Sequence, residues 1–382
     1  MLSNKNIIII KTPEELEEYI PAWEKLVKNA TDENIFFEPS ILIPALRYLN
    51  NEQAFILLIF ADDVPKEQGL IGLFPLVSSK KYKGLPIPHL SIWKTPQCFL
   101  GTPLVHKDYI QAGLEYLFQW FEQTPQSGYF FSFREFIDDS LFSQQLESFL
   151  KIKKYSLDEV ERYKRAFLQS NLTKDQYLKQ NISRNIRKQL RNKGNRISKI
   201  GKPLKIIILD HNNIIEENID QWIQDFLQLE QSGWKGKEAT ALNCDEKETK
   251  YFIDITKNVA QQSKLLMFKL TLDDEIIAMQ CKFVSHDGGV FSFKTAYDES
   301  YSKYSPGILL QLENLDYILS NSQIKWMDSC AMPNSVVDHL WQERRAIRSF
   351  NVSTQSWKSK LVVRLLSILR KCYRKIAGLT KA

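Results

Sequence analysis

The tripeptide Ser305-Pro306-Gly307 has the residue types of an anion-binding turn. Pro306 suits the first turn of a helix, because the N–H that it lacks would have no partner there. Ser305 stands at the N-cap position, and Gly307 lets a ligand approach the backbone closely. Free N–H groups at a helix N-terminus attract phosphate. The turn therefore predicts either a pyrophosphate site or a plain helix start after a strand.

A second candidate region is strongly basic. No acidic residue occurs between Gln176 and Leu209, whereas nine Lys and Arg residues occur over 184–205. Four of these have helical i, i+3, i+4, i+7 spacing and share one face: Arg184, Arg187, Lys188 and Arg191. Because like charges repel, the run favours an anionic partner over a merely solvated face. The phosphates of CoA, a nucleotide-sugar, a lipid-linked pyrophosphate or tRNA would qualify. Aromatic residues are nearly absent between Tyr177 and Trp222, which argues against single-stranded nucleic acid.

Composition narrows the class of protein. The 382 residues exceed one ordinary domain, and 43% hydrophobic residues can form proper cores. The net charge of +6 is uneven: residues 1–150 have 12 Lys and Arg against 19 Asp and Glu, and residues 151–382 have 39 against 26. The scattered cysteines and histidines indicate neither a metal site nor disulfides. Since no signal peptide and no long apolar run is seen, we expect a cytoplasmic protein, at most peripheral on the inner face of the cell membrane.

Three stretches resemble the GNAT acyltransferases. Residues 302–309 (SKYSPGIL) retain only one glycine of the pyrophosphate loop of that superfamily. This departure from the usual glycine-rich loop is typical of its CelD/BcsL-like members from polysaccharide loci. Residues 226–237 (FLQLEQSGWKGK) and the basic stretch 181–201 are also similar to that subgroup. Fem-like transferases are related to it. The resemblance covers roughly residues 175–345 and implies an acyl-CoA-dependent N- or O-acyltransferase, with acetyl-CoA or another acyl-CoA as co-substrate.

The resemblance also implies roles for individual residues. The acyl-CoA would contact Ser305, Pro306, Gly307, Ile308 and Leu309. The candidate bases and acids are Glu230, Asp298, Asp328 and Tyr297, with Tyr304 as a second candidate acid. The basic face, Trp234 and Lys235 would bind the acceptor, a sugar or lipid-linked saccharide of envelope or exopolysaccharide synthesis. Cys330 as a covalent nucleophile is disfavoured, since no histidine is near it in sequence. The alternatives are a Fem-like transferase using aminoacyl-tRNA and a non-catalytic membrane-associated assembly protein.

The elements that position these residues alternate between strands and helices. We predict a strand at 290–297, a helix from Pro306, a strand at 324–327, a helix at 336–345 and a strand at 348–352. Apolar hairpins at 55–60/70–77 and 265–272/276–284 surround similar acidic turns, which indicates either a degenerate duplication or simply two similar hairpins. The predicted fold is α/β (α+β), with tandem GNAT-like domains and mixed central sheets flanked by helices. We predict a degenerate GNAT-like domain at 1–157, an acyl-CoA-binding GNAT domain at 158–355 and a separate tail at 356–382. A hinge is expected near Asp158.

The tail, residues 357–382, predicts a basic amphipathic helix. Its apolar side comprises Leu361, Leu365, Ile368, Leu369, Cys372 and Ile376. Its basic side comprises Lys360, Arg364, Lys371, Arg374 and Lys375. Such a helix is typical of attachment to an anionic membrane surface, and packing onto the domain is the alternative.

Overall fold

The computed structural model describes residues 6–62, 64–65, 69–124, 128–215 and 217–379. The chain divides into two compact units, residues 1–164 with 346–382, and residues 165–345. Strands Leu157–Leu168 and Glu343–Ser353 carry the chain across this division. Both units are mixed α/β structures with helices flanking a mixed sheet, as predicted. The three predicted domain ranges stay a prediction.

The first unit has its sheet in the order β1-β2-β3-β4-β6-β13, with β5 beside β3. Its strands are β1 (Ile7–Ile10), β2 (Phe55–Phe60), β3 (Leu70–Ser79), β4 (His89–Ile92), β5 (Leu104–Val105), β6 (Phe130–Ile137) and β13 (Glu343–Ser353). Its helices are α1 (Pro13–Glu17), α2 (Ile20–Asn29), α3 (Pro39–Leu49), α4 (Ile110–Gln123), α5 (Leu141–Ile152) and α12 (Trp357–Leu379). The pair β4/β6 is parallel, and β13 lies antiparallel to β6.

The second unit has its sheet in the order β8-β9-β10-β11-β12-β7. Its strands are β7 (Leu157–Leu168), β8 (Leu204–Leu209), β9 (Leu265–Leu272), β10 (Glu275–Val284), β11 (Gly289–Tyr297) and β12 (Trp326–Asp328). Its helices are α6 (Lys174–Asn181), α7 (Arg184–Ser198), α8 (Ile219–Ser232), α9 (Trp234–Lys237), α10 (Glu246–Gln261) and α11 (Pro306–Ser320). The pair β11/β12 is parallel, and β7 lies antiparallel to β12.

Helices cover both faces of the second sheet. Alternate residues of β9, such as Phe268 and Leu270, share one apolar core with Leu309, Leu310 and Leu315 of α11. On the other face, Phe293 of β11 stacks with Phe252 of α10. Because both faces are covered, β9 is buried along its whole length, as strands of doubly covered sheets usually are.

Three sequence-based expectations differ from the structure. Residues 336–345 are not one helix: a 3-10 turn spans Val336–His339, and β13 begins at Glu343, because the chain joins the sheet as a strand there, which overrides the local helical pattern. Asp158 lies inside continuous strand β7 and is buried, so it is not a hinge. Ser305 occupies the N-cap of α11, but its backbone is left-handed and its side chain makes no capping bond.

The tail helix α12 has two different sides. Val363 and Leu366 are buried against Phe130, and Arg370 Nη2 donates to Asp158 Oδ2 at 2.8 Å. Its remaining large hydrophobic residues are largely exposed: Trp357, Leu361, Leu365, Ile368, Leu369 and Tyr373. Lys375 and Ile376 of the predicted stripes lie outside the described side chains. Among the helices that the structure describes, none is long and apolar enough to cross a membrane.

Candidate active site

The parallel strands β11 and β12 part within the second unit. Their ladder pairs Gly289 with Trp326, Val290 with Met327, and Phe291 with Asp328. There β12 ends, whereas β11 continues to Tyr297 alongside β10. A cleft of about 450 Å³ opens between residues 292–297, residues 329–331 and the start of α11. It presents the edge of β11 to a ligand.

A bulge in β11 shapes this opening. Cys281 of β10 is opposite Lys294, and Lys282 is opposite Ser292, so Phe293 is an extra residue in β11. Bulges bend a strand and occur often beside active sites. Since paired residues share a sheet face, Ser292 lies on the α11 side together with Lys282. Phe293 and Lys294 lie on the opposite side, towards α8 and α10.

The N-terminus of α11 closes one end of the cleft. Ile308 N and Leu309 N donate to Ser305 O at 3.0 and 3.2 Å, and Pro306 has no N–H. Among the described residues, none accepts from Gly307 N. A methyl group at Gly307 would lie 3.8 Å from Tyr297 Cδ1, an ordinary contact. Ser305, Pro306, Gly307 and Ile308 line the cleft, whereas Leu309 packs in the core. The turn thus leaves room and one donor for an anion.

The carboxylate of Asp328 is fully buried between two arginines. Arg165 Nε and Nη2 lie 2.7 and 2.8 Å from its oxygens, and Arg345 Nη1 lies 2.9 Å away. The Arg345 guanidinium also stacks on Phe167 and Trp326. Burial raises the pKa of Asp328, but the two guanidiniums outweigh burial and hold the pKa below its usual range. The ion cluster therefore anchors the end of β12.

Glu230 and Asp298 hold local structure in different ways. Glu230 is buried, accepts from Lys235 Nζ at 2.6 Å and accepts from Leu242 N at 2.9 Å. It adjoins a crevice of about 20 Å³ that it shares with Thr295 and Tyr297. Both of these also line the main cleft. Asp298 accepts from Ser300 N at 2.8 Å and is outside the residues that line the cleft.

Two other predicted site residues lie in the one-turn helix α9. Lys235 Nζ reaches Thr295 O at 3.4 Å as well as Glu230, so it joins α9 to the cleft strand. Trp234 is 44% exposed and free to meet a ligand. Gly236 is required here, because a Cβ would lie 1.8 Å from Gln231 O. The structure therefore explains most of the segment 226–237 by local packing.

The basic helix α7 packs against α11 and the 3-10 turn that precedes it. Arg184, Lys188 and Arg191 are exposed, and the part of the chain that the structure describes has no ion pair for them. Arg187 differs, since its Nη1 donates to Leu178 O and Lys179 O at 3.3 and 2.8 Å. Three of the four predicted residues are therefore available to an anion, and Arg187 caps α6.

Sequence reasoning missed Lys282 and Ser292. Lys282 is 1% exposed, and its Nζ donates to Ser292 Oγ at 3.3 Å. Ser292 lines the cleft. The available signal was a lysine inside the apolar strand IIAMQCKFV, where a solvated position is not expected. Within the described residues, no group of three or more His, Cys, Asp or Glu could hold a metal ion.

Comparison with known proteins agrees with this geometry. Residues 184–332 match the family described as the acetyltransferase (GNAT) domain. This match lies within the second unit. The predicted enzyme class, a GNAT-type acyltransferase, is thereby confirmed. No curated protein matches the chain in sequence.

Solved structures share the fold across both units. The chain is similar to FemX, with a TM-score of 0.52, 9% identity, and coverage of 89% of this chain and 95% of FemX. It is also similar to a conserved protein of unknown function from Bacteroides thetaiotaomicron VPI-5482, with a TM-score of 0.52, 12% identity, and coverage of 88% and 97%. At these identities the likeness establishes the fold alone.

Proposed function

We propose that this protein transfers an acyl group from acyl-CoA to an amine or hydroxyl of a saccharide. The observation that carries the proposal is the cleft between β11 and β12, which ends at the free N-terminus of α11. The pyrophosphate would rest on Pro306 and Gly307, where the Gly307 N–H and the helix dipole favour negative charge. The pantetheine arm would extend along the open edge of β11.

Among the predicted bases, we favour Glu230. Its crevice shares Thr295 and Tyr297 with the cleft, so a small shift of Lys235 would expose the carboxylate to an acceptor. Asp328 has both oxygens engaged by arginines, and Asp298 caps a turn. Tyr297 lines the cleft directly and could donate a hydrogen bond to the reacting carbonyl group.

The acceptor is proposed to be a sugar or a lipid-linked saccharide. The support is the resemblance of residues 302–309 to transferases of polysaccharide loci, together with the tail helix. Its exposed apolar residues and nearby Lys360, Arg364, Lys371 and Arg374 suit an anionic membrane surface, where a lipid-linked acceptor is found. The protein would then act in the cytoplasm, at the inner face of the membrane.

The direct test is calorimetric titration with CoA. Gly307→Glu places bulk and negative charge where the pyrophosphate should bind, and should weaken CoA binding by about a hundredfold. Gly307→Ala is the matched control, because its methyl group has only the ordinary contact with Tyr297 and should preserve affinity. Unchanged CoA affinity in a folded Gly307→Glu variant would refute the site. Thiol release from acetyl-CoA with a panel of amino sugars and neutral sugars then identifies the acceptor.

The basic helix offers a second test and separates the alternatives. If α7 binds donor phosphates, Lys188→Glu with Arg191→Glu should weaken CoA binding about tenfold and flatten its salt dependence. Arg187→Glu is unsuitable, because it would also remove the cap of α6. An aminoacyl-tRNA-dependent enzyme would instead bind tRNA through this helix and show no CoA binding. A non-catalytic protein would bind neither.

A further inference from the structure

Lys282 is a buried cation with a single hydrogen bond. It lies near the C-terminal end of β10, and its Nζ donates to Ser292 Oγ at 3.3 Å. Within the described residues, no carboxylate pairs with it. Burying an ammonium without a counter-charge is costly, so such a group usually persists for function. Ser292 connects it to the cleft.

Other polar groups share this side of the sheet. Gln280 is two residues from Lys282 on the same face and is fully buried, yet neither its Oε1 nor its Nε2 has a hydrogen-bond partner among the described residues. Asn314 of α11, which packs on β10, is also fully buried and has an unpartnered Oδ1. Buried polar groups are normally hydrogen-bonded, so unpartnered ones in a core are unusual. These side chains indicate a polar layer beneath the cleft.

Ser292 marks the inner end of the cleft. It is the first residue of β11 beyond the last pair with β12, Phe291 with Asp328. The outer end is the N-terminus of α11, next to Tyr297. Because Phe293 is an extra residue within it, the span of β11 from Tyr297 to Ser292 matches the four steps from Ala278 to Lys282 on β10 and is roughly 13 Å at the usual rise of a strand. An extended pantetheine arm that starts at Gly307 would therefore bring its sulfur towards Ser292.

We infer that Lys282 and Ser292 form a relay that protonates the leaving thiolate of the acyl donor; this rests on the proposed function. The acceptor attacks the thioester carbonyl carbon, the C–S bond breaks, and the sulfur receives the Ser292 Oγ proton. Ser292 receives a proton from the Lys282 ammonium, which becomes a neutral amine. The proton lost by the acceptor passes to the proposed base Glu230 and from there to solvent, and Lys282 regains one from solvent. Ser292 touches the sulfur, and Lys282 acts through it.

The electrostatics of the site suit this role. Burial lowers the pKa of Lys282 to about 7, against a weaker opposing effect of Cys281 and Cys330. A proton donor works best with a pKa near the working pH. Burial raises the pKa of both thiols, so Cys281 and Cys330 stay neutral beside the amine.

The test compares the binding of CoA with that of desulfo-CoA, which has no sulfur. The wild-type chain should prefer CoA by about tenfold at pH 8, because the thiol or thiolate bonds to the relay. Lys282→Met and Ser292→Ala should each remove this preference while desulfo-CoA affinity stays constant. The double variant should lose nothing more, since the two residues act as one unit. Lys269→Met, a buried lysine of β9 that pairs with Asp225 and lies outside the cleft lining, should retain the preference.

Each outcome decides the inference. Equal affinity of the wild-type chain for the two ligands, or a preference that survives in both single variants, overturns the relay while leaving the proposed CoA site intact. If neither ligand binds the wild-type chain, the proposed function fails and the relay fails with it. Should Lys282→Met not fold, Ser292→Ala decides, because removing one hydroxyl at the cleft wall disturbs packing little.

Discussion

The two units have the same arrangement of strands but differ where their two parallel strands meet. In each, four antiparallel strands lead to a parallel pair joined through a helix, β4-α4-β6 and β11-α11-β12, and a last strand lies antiparallel. In the second unit, β11 runs on beside β10 and leaves an open cleft. In the first, β4 ends at Ile92, and the following chain returns to β6, where Gly101 N donates to Glu135 O at 2.8 Å. The length of one strand therefore accompanies the presence or absence of this cleft.

The first unit also contains a cavity. Its groove of about 660 Å³ includes Ser91 and Ser132, which are a pair in the β4/β6 ladder. This groove therefore lies over joined strands, not between parted ones. In place of a cleft, Lys94 is buried in an ion pair with Glu135. On the proposed function, the donor binds in the second unit, whereas the same place in the first unit is packed.

The largest expected effect concerns the ion cluster that ends β12. Asp328→Asn leaves two buried guanidiniums without their anion and should cost about 3–5 kcal/mol in the free energy of unfolding. Asp298→Asn keeps a side-chain oxygen that can cap the turn and should change the free energy of unfolding by less than about 0.5 kcal/mol. Denaturant titration measures both. A small loss for Asp328→Asn would show that the arginines do not anchor the cleft.

The same cluster has a defined pH dependence. The pKa of Asp328 is lowered in the folded protein, so its stabilising effect is complete above the unfolded value of about 3.9. It is lost as the pH falls through the folded value. Asp328→Asn should therefore flatten the acid side of the stability curve.

The two buried lysines should respond in opposite directions. Lys282→Met removes an unpaired buried cation and should stabilise the protein at pH 7 by about 2–3 kcal/mol. Lys94→Met leaves Glu135 without its partner and should destabilise it by about 2 kcal/mol. Because the folded pKa of Lys282 is lowered to about 7, wild-type stability should rise from there up to the unfolded pKa near 10.4. This rise should vanish in Lys282→Met. If both variants changed the free energy of unfolding in the same direction, the contrast between an unpaired lysine in the second unit and a paired one in the first would be wrong.

Gly101 in the first unit and Gly307 in the second test whether the space beside the parallel strands of each unit is packed or open. A Cβ at Gly101 would lie 2.0 Å from Arg134 O, so Gly101→Ala should cost about 2 kcal/mol. The Cβ of Gly307→Ala has room, and its effect on the free energy of unfolding should be within about 0.5 kcal/mol. Gly101→Ala should leave CoA affinity unchanged in the folded fraction. A stability loss at Gly307 as large as that at Gly101 would mean that the cleft is packed.

The sequence could predict the local parts of this site. The turn Ser305-Pro306-Gly307 and the strand before it can be predicted because their signals are local. Proline and glycine determine the backbone of a turn within a few residues, and a strand shows itself by apolar residues at every second position. The partner of Asp328 could not be found in this way, because Arg165 is 163 residues distant. The bulge that sets Ser292 opposite Lys282 depends on pairing between strands. The helix expected at 336–345 failed for the same reason, since β13 pairs with strands that are distant in sequence, such as β6.

The smallest expected effect concerns the proposed contact of α12 with a membrane surface. Leu365→Ser with Leu369→Ser should lower binding to vesicles containing phosphatidylglycerol about fivefold, because both side chains are exposed and available to the interface. The thermal transition and CoA affinity should not change. Val363→Ser is the matched control: its side chain is buried against Phe130, so it should lower the thermal transition. Truncation at residue 357 is less informative, because it would also remove the ion pair of Arg370 with Asp158. Vesicle binding that is unaffected by the double variant, or independent of salt, would exclude this face as the membrane contact, and the lipid-linked acceptor would lose its structural support.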